Sequence, residues 1–281
     1  MKNYSFTSFY LPPFYFFPFQ FLSLHASEPS DFTLSKMRQL FNQLISFPYF
    51  FKIAQISFPY LFLLSILVIL LGVLWGVFFS PVDVTQGEVY RIIYLHVPSA
   101  SVAQSIYYTM VIASITYLIW RIKMASVFMI SMAPLGAIFT FLALFTGAVW
   151  GQPTWGTWWV WDARLTSTLI LLILYLAIIS LFSSFDRRAS TDQAVSIVVL
   201  IGGINLPIIK LSVEWWNTLH QSASITLSGS SIDNEMLIPL LISIFGFYLY
   251  VTAIGMRKMQ VEILKREISH NWVKEIFIEK R

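Results

Sequence analysis

Two histidines, two arginines, one aspartate and seven tryptophans carry most of the chemistry available to this otherwise apolar chain of 281 residues. His96 stands in YRIIYLHVPSA and His220 in SVEWWNTLHQ. Between them Gly147 to Ser167 reads GAVWGQPTWGTWWVWDARLTS, with indoles at Trp150, Trp155, Trp158, Trp159 and Trp161, then Asp162 and Arg164. Trp215 and Trp216 precede His220, and Arg91 precedes His96. Imidazole nitrogens ligate metals, indoles cover flat apolar surfaces, and guanidinium groups pair with carboxylates. A haem needs all three, because its iron accepts axial imidazoles, its macrocycle sheds water against aromatic rings and its propionates attract cations. His96 and His220 are therefore the candidate axial ligands of a non-covalent, bis-histidine haem b, and Arg164 and Arg91 the candidate propionate partners. Asp162, which would repel a propionate, is expected to pair with Arg164 or to accept a hydrogen bond from an indole N–H.

Plainer explanations account for the parts but not for the combination. A single interfacial histidine is ordinarily a polar contact. Interfacial tryptophans ordinarily form belts at both membrane faces. Here seven of the ten tryptophans fall in two segments, one of which ends in His220. The chain has no cysteine, which excludes disulfides, thiolate ligands and a thiol redox role.

The elements that must position these residues follow from composition. With 57% hydrophobic and 11% charged residues, the chain reads as an all-α polytopic membrane protein. Its net charge of +4 does not indicate nucleic acid, because the basic residues sit in short gaps between apolar runs. Membrane lipid is the expected surrounding. Six transmembrane helices are predicted at 59–79, 98–120, 125–149, 166–185, 194–213 and 236–256, each near the ~20 residues that cross the hydrocarbon core. Asn205 and Pro207 interrupt the fifth. Fifteen of the 18 Lys and Arg residues fall on one side of this topology, leaving only Arg91, Arg164 and Lys210 on the other. Both termini are thus expected in the cytoplasm, and the connections 80–97, 150–165 and 214–235 on the outer, periplasmic face. The predicted organisation is an N-terminal extension at 1–57, a six-helix membrane domain at 58–256 containing the tryptophan segment 147–167, and a basic cytoplasmic tail at 257–281. Pro12, Pro13 and Pro18 interrupt the first aromatic run, which reads as a disordered tail or a misassigned start, with Met37 the alternative initiator.

Three stretches resemble a known family. WGTWWVWDARLTS (Trp155 to Ser167), RIIYLHVPSA (Arg91 to Ala100) and NLPIIKLSVEWWNTLHQ (Asn205 to Gln221) are similar to the central motif and two histidine loops of the CcmC haem-handling family of cytochrome c biogenesis, a tryptophan-rich WWD family. The likeness runs from about Met37 into the basic tail. It implies haem held at the outer face by two histidines, matched here by His96 and His220, against the tryptophan segment. It also implies loading of the haem chaperone CcmE, beside the ATP-binding-cassette subunits CcmA and CcmB and the small membrane subunit CcmD. Such a protein presents haem and is not itself an enzyme. A haem lyase subunit is the first alternative, although lyases of this kind are longer and carry further histidines within their spans. A haem-exporting permease is the second, although the cores of all six predicted spans lack the ionisable residues that transport paths use. A bacterial inner membrane is the expected location, with the mitochondrial inner membrane as the alternative.

Overall fold

An apolar segment in lipid must satisfy its own backbone polar groups, and a helix does so within a single run of chain. The computed structural model describes residues 43, 46–184, 188–221, 224–226 and 229–278. The expectations for the chain up to residue 42, including the alternative start at Met37, lie outside the described residues.

The helices are α1 (Phe47–Phe79), α2 (Ile93–Trp120), α3 (Lys123–Trp155), α4 (Ala163–Ser183), α5 (Arg188–Gly202), α6 (Asn205–Trp215), α7 (Asn234–Glu267) and α8 (Asn271–Ile278). A 3₁₀ turn, Glu88–Ile92, leads directly into α2. A two-stranded antiparallel ribbon, β1 (Ile225–Thr226) and β2 (Gly229–Ser230), lies between α6 and α7. Among the described residues, six helical segments are long and apolar enough to cross a membrane, with α5 and α6 together forming the fifth.

The fifth span breaks where the sequence predicts. Pro207 occupies the first turn of α6, where its missing N–H costs no helical bond. Asn205 Nδ2 donates to the Ser167 carbonyl at 2.8 Å, which ties the restart to α4. At Gly202 a Cβ would lie 2.1 Å from the Tyr107 hydroxyl, so only glycine lets α5 approach α2 this closely.

Several boundaries differ from expectation. α1 starts at Phe47, so the predicted boundary at 57/58 falls inside a helix. A 33-residue helix is about 50 Å long and extends well past a ~30 Å hydrocarbon core. α7 likewise continues through the first part of the predicted tail to Glu267, and α8 then docks through Trp272 against Phe51, with ring centroids 5.8 Å apart. Hydropathy locates where a helix becomes too polar for lipid, which is not where its hydrogen bonding ends.

α3 forms the centre of the bundle. In its most apolar window 67% of residues are buried, against 17% for α1, so α1 is peripheral. α3 packs on α2, α4 and α7, while α1 packs chiefly on α7. The α1–α7 contact relies on small residues: a Cβ at Gly72 would meet the Ser243 backbone nitrogen at 2.5 Å, and one at Gly246 the Ile69 backbone at 2.8 Å. The core at the middle of the bundle holds Tyr107, Met110, Met129, Leu171, Tyr175 and Ile178, all fully buried. At the end of the bundle away from the tryptophan segment, Arg266 of α7 makes a bidentate ion pair with Asp192 of α5, both contacts at 2.9 Å. It also binds Glu262 at 2.7 Å and the Ser126 hydroxyl at 2.9 Å, joining α3, α5 and α7.

Candidate functional site

The tryptophan segment is divided by the end of a helix. α3 continues through Trp155, and Gly156 closes it at φ 76°, a left-handed position that favours glycine. Pro153 sits in that last turn. The irregular connection is therefore much shorter than the predicted 150–165. Trp150 and Trp155 are carried on a rigid helix, whereas Trp158, Trp159 and Trp161 belong to the loop that ends at Asp162.

His96 also lies on a helix. The 3₁₀ turn and α2 carry the chain continuously through Pro98, so His96 falls in the first turn of α2, ahead of the predicted start of the span. Its imidazole is oriented from α3. Thr146 Oγ1 donates to the Leu142 carbonyl at 2.7 Å and lies 3.0 Å from His96 Nδ1. With the hydroxyl proton so engaged, Nδ1–H is the donor to Oγ1, which leaves the Nε2 lone pair free. Trp150 packs edge-on against the same ring at 5.5 Å, and Trp150 Nε1 donates to Gln86 Oε1 at 2.7 Å. Gly147 leaves the space the ring occupies, since a Cβ there would stand 3.1 Å from His96 Cε1.

His220 lies in the connection after α6 and is held by different means. Its backbone N–H donates to Thr218 Oγ1 at 2.8 Å. Its Nδ1 faces Asp162 Oδ2 at 3.4 Å, and Trp155 stands edge-on at 4.7 Å. Burial pushes this imidazole below its ordinary pKa; Asp162 opposes the shift and Arg164 adds to it. A neutral ring that gives its Nδ1 proton to a carboxylate also presents Nε2 as its free lone pair.

Asp162 thus differs from expectation. Its Oδ1 caps α4 by accepting from the Leu165 N–H at 2.7 Å, and its Oδ2 serves His220 rather than Arg164 or an indole. The spacing Asp-x-x-Leu ahead of an apolar run was a legible N-cap signal, whereas His220 is 58 residues away and only the fold brings it near.

Two neighbouring cavities share His96, Gly147, Trp155, Arg164 and His220 as walls. The outer one, of 330 Å³, is also lined by Gln86, Tyr90, Trp150 and residues of the α6–α7 connection. The inner one, of 150 Å³, runs into the bundle past Gln104 and Thr168 to Leu171. Both are mostly apolar. Arg164 Nε is buried with no hydrogen-bond partner, as is Trp159 Nε1. A buried guanidinium N–H without an acceptor is costly, and an anionic group on a ligand would satisfy it.

The remaining candidates lie elsewhere. Arg91 is engaged by Glu88 and by the carbonyls of Gly76 and Ser80, at 3.1 and 2.9 Å, so it closes the C-terminal end of α1 and is not in the cavity wall. Trp158 and Trp161 are 60% and 75% exposed, and Trp215 and Trp216 are also exposed; these four line neither cavity. Trp159 packs edge-on against Trp161 at 5.4 Å. Sequence reasoning did not single out Thr146, Gln86 or Gln104. None of the three had a signal of its own: Thr146 is a single threonine ahead of Gly147, and only the fold brings it to His96, 50 residues away.

The pattern defining the heme exporter protein C family, CcmC, matches residues 40–274. Heme exporter protein C of Escherichia coli strain K12 is 47% identical over 244 residues, covering 87% of this chain and 99% of the relative. The protein of the same name from Haemophilus influenzae is 48% identical over 222 residues, 78% of this chain and 89% of the relative. A ccmC-like mitochondrial protein of cytochrome c biosynthesis from Marchantia polymorpha is 46% identical over 204 residues, 73% of this chain and 85% of the relative. A match over most of the chain, with the histidine loops and tryptophan segment inside it, places the protein in a family: it belongs to the heme exporter protein C family.

Proposed function

We propose that this protein holds haem as cargo between His96 and His220 and presents it for transfer in cytochrome c maturation. One observation carries the reading. Two imidazoles from distant parts of the chain border the same cavities, and each has its Nδ1 occupied by an acceptor, leaving Nε2 as the ligand atom. Oriented histidines of this kind are typical of metal ligation. The residues present also fit a haem in other respects. Trp150 and Trp155 offer apolar faces to a macrocycle, and the orphaned Arg164 Nε offers a cation edge to a propionate. Bound between the two imidazoles, haem b would be six-coordinate and low-spin.

The protein is a multi-pass membrane protein of the bacterial inner membrane, in keeping with its six spans and bacterial relatives. Its basic residues favour cytoplasmic termini, which puts the histidine end of the bundle on the periplasmic side. There the exposed Trp158 and Trp161 form a rim that a partner can approach. The partner is the chaperone CcmE, with CcmA, CcmB and CcmD completing the assembly. In this reading the protein acts by holding and orienting haem, and covalent attachment belongs to the chaperone.

The test is spectroscopic. Protein purified from haem-replete cells should show a low-spin bis-histidine Soret spectrum, altered or abolished in His96→Ala and in His220→Ala. Wild-type protein without a Soret band defeats the reading. In cells, deletion should stop haem loading of the chaperone; normal loading with failed attachment to cytochrome would favour a lyase.

A further inference from the structure

We propose that a groove between α3, α4 and α7, at the end of the bundle away from the histidines, binds the headgroup of an anionic phospholipid. The proposal does not depend on the haem reading. The groove has a volume of 330 Å³, with walls of Ile130 and Pro134 from α3, Ile178 and Phe182 from α4, and Val261 from α7. Two cations, Lys258 and Lys265, complete it from α7. They are seven residues apart, two helical turns, and so share one face.

Three features indicate an anionic, lipid-borne ligand. First, neither Lys258 nor Lys265 pairs with a described residue, and Lys258 is only half exposed. Glu262, the acid between them, is already bound to Arg266 at 2.7 Å. Second, the Ser131 hydroxyl lines the groove, is buried and has no hydrogen-bond partner. Serines within helices ordinarily bond a carbonyl one turn back, as Thr140 and Ser243 do here, so an unpaired buried hydroxyl at this position calls for an acceptor from outside. Third, apart from Glu262, whose carboxylate Arg266 holds, the rest of the wall is aliphatic and aromatic, suited to an acyl chain below a phosphate.

The depth agrees with a lipid headgroup. Ser131 and Trp155 lie on the same helix, 24 residues or ~36 Å apart, slightly more than one hydrocarbon core. If Trp155 is at one interface, the groove is at the other. Basic pockets between spans at that level hold anionic headgroups by charge, supplemented by acyl packing. A free phosphate would gain the charges but leave the aliphatic walls wet.

The experiment uses the full chain in neutral detergent, with the thermal midpoint titrated separately with phosphatidylglycerol, phosphatidylcholine and inorganic phosphate. Phosphatidylglycerol should raise the midpoint saturably, and the other two should not. In Lys258→Gln/Lys265→Gln the half-saturating concentration should rise about tenfold or more. Ser131→Ala, which leaves both charges, should weaken the response several-fold, and Lys258→Arg/Lys265→Arg should retain it. Lys210→Gln, on α6 and outside the groove, should behave as wild type. The proposal is overturned if the double glutamine variant responds as wild type, or if Lys210→Gln loses the response too. It is equally overturned if phosphatidylcholine or inorganic phosphate reproduces the effect.

Discussion

Replacing Asp162 by asparagine separates two tasks that one carboxylate performs. Oδ1 caps α4 at 2.7 Å from the Leu165 nitrogen, and Oδ2 accepts from His220 Nδ1 at 3.4 Å. Asparagine has one acceptor oxygen, so one task must fail. If the cap is kept, the amide NH₂ faces His220 Nδ1; the ring proton then moves to Nε2, and the ligand atom loses its lone pair. If the amide turns, His220 keeps its acceptor but NH₂ opposes the Leu165 N–H, at a cost of about 1 kcal/mol, the usual worth of an N-cap. Removing the acceptor behind a ligating histidine typically lowers metal affinity about 10–100-fold. If the cap is kept, haem titration of the purified variant, followed at the Soret band, should therefore show a loss in that range with the thermal midpoint of the haem-free protein unchanged. If the amide turns, haem affinity should stay near wild type and that midpoint should fall ~2–4 °C. Asp162→Ala removes both functions and should lower both quantities. Wild-type haem affinity together with a wild-type midpoint in Asp162→Asn, or wild-type haem affinity in Asp162→Ala, would refute the role assigned to this carboxylate in orienting His220.

Two further outcomes follow from the geometry. Gly147→Val places branched carbon where a Cβ already comes 3.1 Å from His96 Cε1, and overpacking of ~1–3 kcal/mol should weaken haem retention on the order of tenfold without unfolding the bundle; unchanged retention on a gel-filtration column would show that the ring can move freely. Arg266→Gln leaves Asp192 buried with the Ser126 hydroxyl as its main remaining partner, and losing one member of a buried ion pair costs about 3–5 kcal/mol. Its thermal midpoint should fall on the order of 10 °C while the Soret spectrum of the folded fraction stays as in wild type.

The helical membrane architecture was legible from the chain alone, because crossing lipid is a local requirement on length and hydropathy. The break in the fifth span was equally legible at Asn205 and Pro207. So were the types of residue suited to haem, since imidazole, indole and guanidinium carry their chemistry wherever they stand. Tertiary structure decided which of these residues meet. Arg91 and Arg164 look alike in sequence, yet Arg91 is taken up by two carbonyls and Glu88, while Arg164 keeps a buried N–H free in the cavity wall. The five clustered tryptophans separate because α3 runs on through Trp155: two indoles stand in the cavity wall, and Trp158 and Trp161 are left exposed. Asp162 finds His220 across 58 residues of chain, and His96 finds Thr146 across 50. Contacts at such separations depend on how helices stack and where each one stops, and hydropathy along the chain contains neither.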